Sequence, residues 1–319
     1  MTAALQTRLR NIRYEADDVN SLEFVPLAGQ ELPRFTAGAH IDIALPNGDT
    51  RSYSLCNSPS DRDRFVIAVR KETEGRGGSR QVHEALRAGD VVSIAGPRNN
   101  FPLVEDASYS VFVAGGIGIT PLLSMIRRLE ELGRRWELHY RCRGRARAAF
   151  LGALEALNGH AGQRVHISVS DEPGSQRLNI AAIVAQAPEQ AHFYCCGPTS
   201  MLDAFAEAAA GRPADCLHVE HFSNEGALVR EGSFEVEFAR LGKVVQIADG
   251  QTILEAALAA GADVPFSCEE GVCGSCEVRV LEGLPDHQDM VLSKQERAAN
   301  TKMMICCSRA RTPRLVLDL

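Results

Sequence analysis

The 319-residue chain has no apolar run long enough to span a bilayer, so a membrane-spanning role is not expected. Its first ten residues, Met1 to Arg10, lack the apolar core of a signal peptide, and export is not expected either. Positive charge is in the minority: 34 Lys and Arg against 41 Asp and Glu leave a net charge of -7. That balance argues against a nucleic-acid partner and suits a protein that docks through charge. No internal repeat or low-complexity segment is present, which argues against a solenoid or a disordered scaffold. A disulfide framework is missing too. There are ten cysteines, but several are scattered and Cys195-Cys196 and Cys306-Cys307 are adjacent pairs, so a reducing, cytoplasmic location is expected. What remains is an ordinary soluble composition, 45% apolar and 24% charged, in a chain long enough for two or three domains.

Four of the cysteines are ordered. Cys268, Cys273 and Cys276 follow the spacing C-x4-C-x2-C, and a fourth comes later in Lys302-Met-Met-Ile-Cys306-Cys307. This is the plant-type spacing for a [2Fe–2S] cluster, which takes three thiolates from one tight loop and a fourth from a distant segment. Gly271, Gly274 and Ser275 would let the loop backbone pass close to the inorganic sulfides. Structural zinc is the competing reading, but it usually takes two close pairs of cysteines.

The first hundred residues read as short strands between turns: Ser21–Val25, His40–Leu45 and Arg64–Arg70, with turns at Pro46-Asn-Gly48 and Ala88-Gly-Asp90. A small antiparallel β-barrel is expected over 1–105. Within it stands Arg51-Ser52-Tyr53-Ser54, where Arg51 and Tyr53 share one face of a strand and Ser52 and Ser54 the other. An arginine can grip a phosphate, a tyrosine can lie on a flat ring, and a serine can bond a ring nitrogen. Alone this would pass for an edge strand. It is followed by Gly75-Arg-Gly77-Gly78-Ser79, a glycine-rich start to a helix over Gln81–Leu86, which turns N–H groups toward an anion.

From Tyr109 the pattern becomes strand, turn, helix. Tyr109–Ala114 is a continuous apolar strand, Gly115-Gly116-Ile-Gly118-Ile-Thr120-Pro121 a glycine turn, and Leu122–Glu130 a helix. Strands follow at Trp136–Tyr140, Arg164–Val169 and Ala191–Cys196, the last running into Gly197-Pro198. A parallel α/β domain is expected over 106–224, with ligands at the carboxyl ends of its strands. The turn departs from G-x-G-x-x-G, so the usual Rossmann fingerprint is absent, and a tight structural turn is the plainer reading. Residues 223–233 read as a tether. Beyond it, Phe234–Phe238 and Lys243–Ile247 form a hairpin about Leu241-Gly242, and Thr252–Ala260 a helix. Strands at Cys276–Leu281 and Arg314–Leu319 and a capping box at Ser293-x-x-Glu296 complete a small α+β domain over 225–319.

Arg51-Ser-Tyr-Ser54 with Gly77-Gly78-Ser79 resembles the flavin motifs of the ferredoxin-reductase superfamily. Gly115–Pro121 with Cys196-Gly197-Pro198 resembles its pyridine-nucleotide motifs. With a plant-type ferredoxin domain at the carboxyl end, the order is similar to the phthalate dioxygenase reductase family, which includes vanillate O-demethylase reductases. The resemblance implies FMN rather than FAD, in contact with Arg51, Ser52, Tyr53, Ser54, Val69, Lys71, Gly77, Gly78 and Ser79. It implies that Gly115, Gly116, Gly118, Thr120 and Pro121, with Cys196, Gly197 and Pro198, face the nucleotide, and that Phe222 covers the flavin. Phe222 also reads as a core residue at a strand end. Ser54, Cys196 and Phe222 are then nearest the hydride transfer. Twenty-nine residues, 277 to 305, separate Cys276 from Cys306, the family spacing, so Cys306 is the expected ligand and Cys307 a bystander.

The family also implies NADH. Arg141, Arg143, Arg145 and Arg147 suit the 2′-phosphate of NADPH, and equally a solvated helix start. The expected acceptor is a Rieske-type oxygenase and the expected state a monomer. A P450 or another monooxygenase is the alternative acceptor, and a non-catalytic carrier or sensor the alternative class.

Overall fold

Alternating apolar and polar residues fold the first hundred positions into six strands, β1 (Leu5–Ala16), β2 (Val19–Pro26), β3 (His40–Ala44), β4 (Thr50–Ser54), β5 (Phe65–Arg70) and β6 (Val91–Arg98), with α1 (Gly78–Glu84) before the last. In this computed structural model, which describes residues 4–158, 164–172, 174–175, 177–224, 228 and 231–319, the strands pair antiparallel in the order β4-β3-β6-β1-β2-β5. A Leu55–Ile67 bridge and the Cys56 N–H to Val66 O bond (2.9 Å) join the two ends, so the expected barrel closes. Closure removes the free edges that an open sheet would expose. The inward residues Leu9, Phe24, Ile41, Ile43, Phe65 and Ile67 are buried as one core.

The next segment alternates strand and helix: β7 (Ser110–Gly115), α2 (Ile119–Glu131), β8 (Trp136–Cys142), α3 (Leu151–Leu157), β9 (Val165–Val169), α4 (Ile180–Gln186), β10 (His192–Cys196), α5 (Thr199–Ala208) and β11 (Leu217–Glu220). The five strands are parallel, in the order β11-β10-β7-β8-β9. β7 shows no alternation because both its faces are covered. Phe112 and Ala114 join the cluster that includes α2, and Val111 and Val113 the cluster that includes α4 and α5. α2 starts at Ile119, three residues before the expected Leu122, because Gly116–Gly118 make a single 3-10 turn and Pro121 becomes its third residue. There the missing proline N–H costs nothing. Leu122, Leu123, Met125, Ile126 and Leu129 bury the inner face of α2, worth about 2 kcal/mol each in area removed from water.

Barrel and α/β sheet share one core, in which Ala37, Cys56, Ala68 and Phe101 meet Phe112, Leu122 and Met125. Ser124 Oγ donates to Asn57 O at 2.8 Å and Arg127 Nη1 to Cys56 O at 2.7 Å. They therefore form one compact unit, Met1–Phe222.

The second unit is Ser223–Leu319. The tether expected over 223–233 lies partly outside the described residues. This unit contains β12 (Phe234–Phe238), β13 (Lys243–Ile247), α6 (Ile253–Ala259), β14 (Glu277–Glu282), β15 (Pro285–Asp286), α7 (Lys294–Ala299), β16 (Lys302–Met304), β17 (Arg309–Ala310) and β18 (Arg314–Leu317). The main sheet runs β13-β12-β18-β14-β16, mixed because β12 and β18 are parallel. Both helices carry full capping boxes: Ser293 with Glu296 on α7, as expected, and Thr252 with Glu255 on α6, a further pair with the same spacing.

Candidate functional site

Strand order in the α/β sheet reverses between β7 and β10, and the crevice outside the carboxyl ends of two such strands is where open parallel sheets bind ligands. Both glycine motifs meet there. A Cβ on Gly118 would lie 2.3 Å from the Cys196 carbonyl oxygen. One on Gly115 would lie 2.5 Å from Pro198 Cδ, and one on Gly197 3.0 Å from Gly115 Cα. These glycines let two turns pack backbone to backbone. Thr120 is buried with its hydroxyl donating to Ile117 O at 3.0 Å, and Pro121 is buried beside it. Gly116, at φ +54°, is the least crowded glycine of this turn, with only Arg70 Nη1 at 4.0 Å from a Cβ built there.

Gly115, Gly116, Ile117 and Pro198 line a cleft of about 890 Å³. Arg70 and Lys71 enter it from the barrel, and Arg141, Arg143, Arg147 and Arg177 line its far part. This concentration of guanidinium groups suits a dinucleotide's phosphates. Arg145 points elsewhere, paired with Glu172 at 2.8 Å.

The two barrel motifs also converge. A Cβ on Gly78 would meet Arg51 Nε at 2.7 Å and Cγ at 2.8 Å, so Arg51 lies directly along the glycine turn. The guanidinium is held there by Asp49 Oδ2 at 2.9 Å and Thr50 O at 2.9 Å. Ser79 Oγ accepts the Glu72 N–H at 2.9 Å, which pins the turn before α1. Gly77 adopts φ +88° as the residue before the helix. Tyr53 is half-buried, and burial raises its hydroxyl to about 12. Ser52 faces away and donates to Asp42 at 2.6 Å. Val69 has its side chain in the barrel core and its carbonyl bonded to His83 at 2.9 Å. Lys71 pairs with Glu84 at 2.8 Å while lining the nucleotide cleft.

Between the two motifs lies a group the sequence reading missed. Ser54 Oγ donates to Glu220 Oε2 at 3.4 Å, and burial lifts that carboxyl to about 8. At neutral pH it is mostly protonated. The Cys196 thiol is fully buried, and burial followed by the nearby Glu220 pushes it well above the ordinary thiol range. It is thus a neutral, compact wall rather than a nucleophile. Phe222, two residues beyond Glu220, is 40% exposed, which sets it apart from an ordinary core phenylalanine. An acidic residue two places before an exposed aromatic at a strand end was the available signal for Glu220.

In the second unit the four predicted ligands are all buried, Cys306 to 1%. Cys268 Sγ accepts N–H groups from Glu270 and Val272, each at 3.4 Å, and its side chain contacts Cys273 and Cys306. Gly271 is at φ +73°, and a Cβ there would lie 2.5 Å from Cys307 Sγ, so the Cys307 thiol sits under the loop. Met290 N–H donates to Gly271 O at 2.8 Å, and the buried Asp289 accepts from Val291 and Leu292. The loop before α7 therefore braces the cysteine loop. Converging buried sulfurs with backbone donors aimed at them suit a thiolate-ligated cluster.

Three family descriptions match in chain order: an oxidoreductase FAD-binding domain over residues 6–102, an oxidoreductase NAD-binding domain over 112–207, and a 2Fe-2S iron-sulfur cluster binding domain over 236–311. The solved structure of phthalate dioxygenase reductase, described as a modular structure for electron transfer from pyridine nucleotides to [2Fe-2S], is 37% identical. The match covers 99% of this chain and 98% of that one, with a TM-score of 0.74. The chain belongs to the phthalate dioxygenase reductase family. Among relatives of this reductase family, phenoxybenzoate dioxygenase subunit beta of Ectopseudomonas oleovorans is 53% identical over 99% of this chain and 98% of its own. Tetrachlorobenzoquinone reductase of Sphingobium chlorophenolicum is 50% identical over 95% and 94%. An intact type IV self-sufficient cytochrome P450 monooxygenase is 41% identical with a TM-score of 0.89, and this chain spans 41% of its length. Like its family, the chain is an oxidoreductase with modules for a flavin, NAD(H) and a [2Fe–2S] cluster. Among the described residues no helix is long and apolar enough to cross a membrane.

Proposed function

We propose that the chain is the reductase component of a multicomponent oxygenase, taking hydride from NADH and delivering single electrons to a Rieske-type oxygenase. The carrying observation is that Ser54, on the strand of Arg51, bonds Glu220, the register partner of Cys196, whose carbonyl packs on the Gly118 turn. A bound flavin supplies the exchange between a two-electron hydride and the one-electron cluster.

The side chains orient and enclose. Arg51, with Gly77, Gly78 and Ser79, holds the phosphate of FMN. Tyr53 would pack against the ring system, and Ser54, which now donates to Glu220, would supply a hydroxyl donor to it. The Gly116 turn and the arginines of the cleft would hold the dinucleotide, the exposed Phe222 would give way to the nicotinamide, and the buried Cys196 would help exclude water. No general base is required, because the work is positioning. Cys268, Cys273, Cys276 and Cys306 hold the cluster. The modules divide at 1–105, 106–224 and 225–319, and the protein works as a monomer in the cytoplasm. A second reading, a P450 acceptor, is favoured by the match to part of a self-sufficient P450.

Anaerobic NADH added to the loaded protein should bleach the flavin and then the cluster, and the reduced protein should pass electrons to a purified Rieske oxygenase faster than to a P450. Faster transfer to the P450 selects the second reading, and no bleaching with both cofactors bound refutes both. Mass spectrometry of the flavin released by heat decides between FMN and FAD.

A further inference from the structure

We propose that Glu137, His139 and His166 form a binding site for one divalent transition-metal ion of the zinc class on the nucleotide-binding sheet. His139 on β8 and His166 on β9 are register partners on adjacent parallel strands. Glu137 is two residues before His139 and so projects from the same face. The donor atoms of all three lie within 4.8 Å of one another.

The local chemistry favours a cation. Glu137 Oε2 accepts the Tyr109 hydroxyl at 3.1 Å, which fixes the carboxylate and turns Oε1 toward His139 Nε2 at 3.4 Å. Ligands about 2 Å from a tetrahedral ion are separated by about 3.3 Å, close to that spacing. His139 Nε2 is buried and faces Glu137 Oε1 without a well-aligned hydrogen bond, so an ion between them would give both atoms a better partner. The His139 and His166 rings are stacked, with centroids 4.7 Å apart and planes 11° apart, which keeps a donor nitrogen of each within 4.8 Å of the other. Binding needs a turn of the His166 ring, and this side chain is exposed on the edge strand. Tyr109 then plays the outer partner that orients a ligating carboxylate. Two imidazoles and one carboxylate select zinc, copper, nickel or cobalt over magnesium or calcium, which prefer all-oxygen sets. A fourth position stays open for water. None of the three residues lines the nucleotide cleft, so the site is separate from the redox machinery.

The test is equilibrium dialysis of the flavin- and cluster-loaded full chain against zinc chloride in excess magnesium, with bound zinc counted by mass spectrometry. About one histidine-dependent equivalent is expected, and His166→Ala and Glu137→Gln should each weaken it about tenfold or more. Zinc should also raise the Tm of the parent protein and leave that of His166→Ala unchanged. Because His166 is exposed, His166→Ala should keep its flavin and cluster absorbance, and His166→Cys should restore binding. Unchanged uptake in His166→Ala, no uptake by the parent, or loss on His192→Ala instead would overturn the assignment. The last outcome would move the ion to the Cys216–His192–His218 group on the β10–β11 side of the sheet, across β7 from the proposed site.

Discussion

In the turn after β7 Gly118 has an ordinary backbone, φ -62°, and is needed because the Cys196 carbonyl occupies the space a side chain would take. In the cluster loop Gly271 is at φ +73°, a conformation L-residues avoid, and also clears the Cys307 sulfur. One unit uses glycine to bring two distant turns together, and the other to bend a single loop around its ligands. The first kind of site depends on tertiary packing, the second mostly on local chain shape.

The comparison breaks most sharply at Gly118. Gly118→Ala should cost about 3 kcal/mol through forced separation of the two turns, and anaerobic stopped-flow should show NADH no longer reducing the flavin while iron content stays normal. Gly271→Ala should cost about 2 kcal/mol in backbone strain. Iron and sulfide analysis should find the cluster depleted, with flavin reduction by NADH unchanged. The two variants should thus separate the two halves of the electron path.

Glu220→Gln sharpens the first half. With its carboxyl raised to about 8, Glu220 is protonated in the native protein between about 4.5 and 8, while in the unfolded chain it is ionised. The native state binds the extra proton, so this group lowers stability as pH rises through that window and changes it no further above it. Glu220→Gln should flatten that decline in denaturant titrations, and should remove any fall in flavin reduction rate around pH 8, with little change at pH 6. A decline of equal slope in the variant would count against the assignment. The smallest effect belongs to α7: Ser293→Ala should cost about 1 kcal/mol of unit stability, read as a lower Tm of the second unit with cluster content retained.

The contrast also explains what could be read in advance. The cysteines expected to hold the cluster lie within a few residues of each other, apart from Cys306, and their spacing directly encodes a loop, so the iron-sulfur module was legible. The barrel, the parallel sheet and the Ser293 cap were legible for the same reason, since each follows from a period or a local spacing. Glu220 was not, because its meaning comes from Ser54, 166 residues away in sequence. The packing of Thr120 on Ile117 and of Gly118 on Cys196 was not legible either, because it comes from tertiary contact rather than from the motif's spacing. The start of α2 was misjudged by three residues because glycines followed by Ile119 and Thr120 give no capping signal, and the helix is held by its buried face instead. His139 and His166 sit in unremarkable strands, and parallel register alone makes them neighbours.

The central claim is that the first unit receives hydride and the second exports single electrons through Cys268, Cys273, Cys276 and Cys306. The most direct measurement is anaerobic stopped-flow of Cys306→Ser with NADH, followed at flavin and cluster wavelengths. The account predicts flavin bleaching at the parent rate with no electrons reaching a cluster. A Cys306→Ser protein that still holds and reduces its cluster, with Cys307→Ser losing it, would contradict the account.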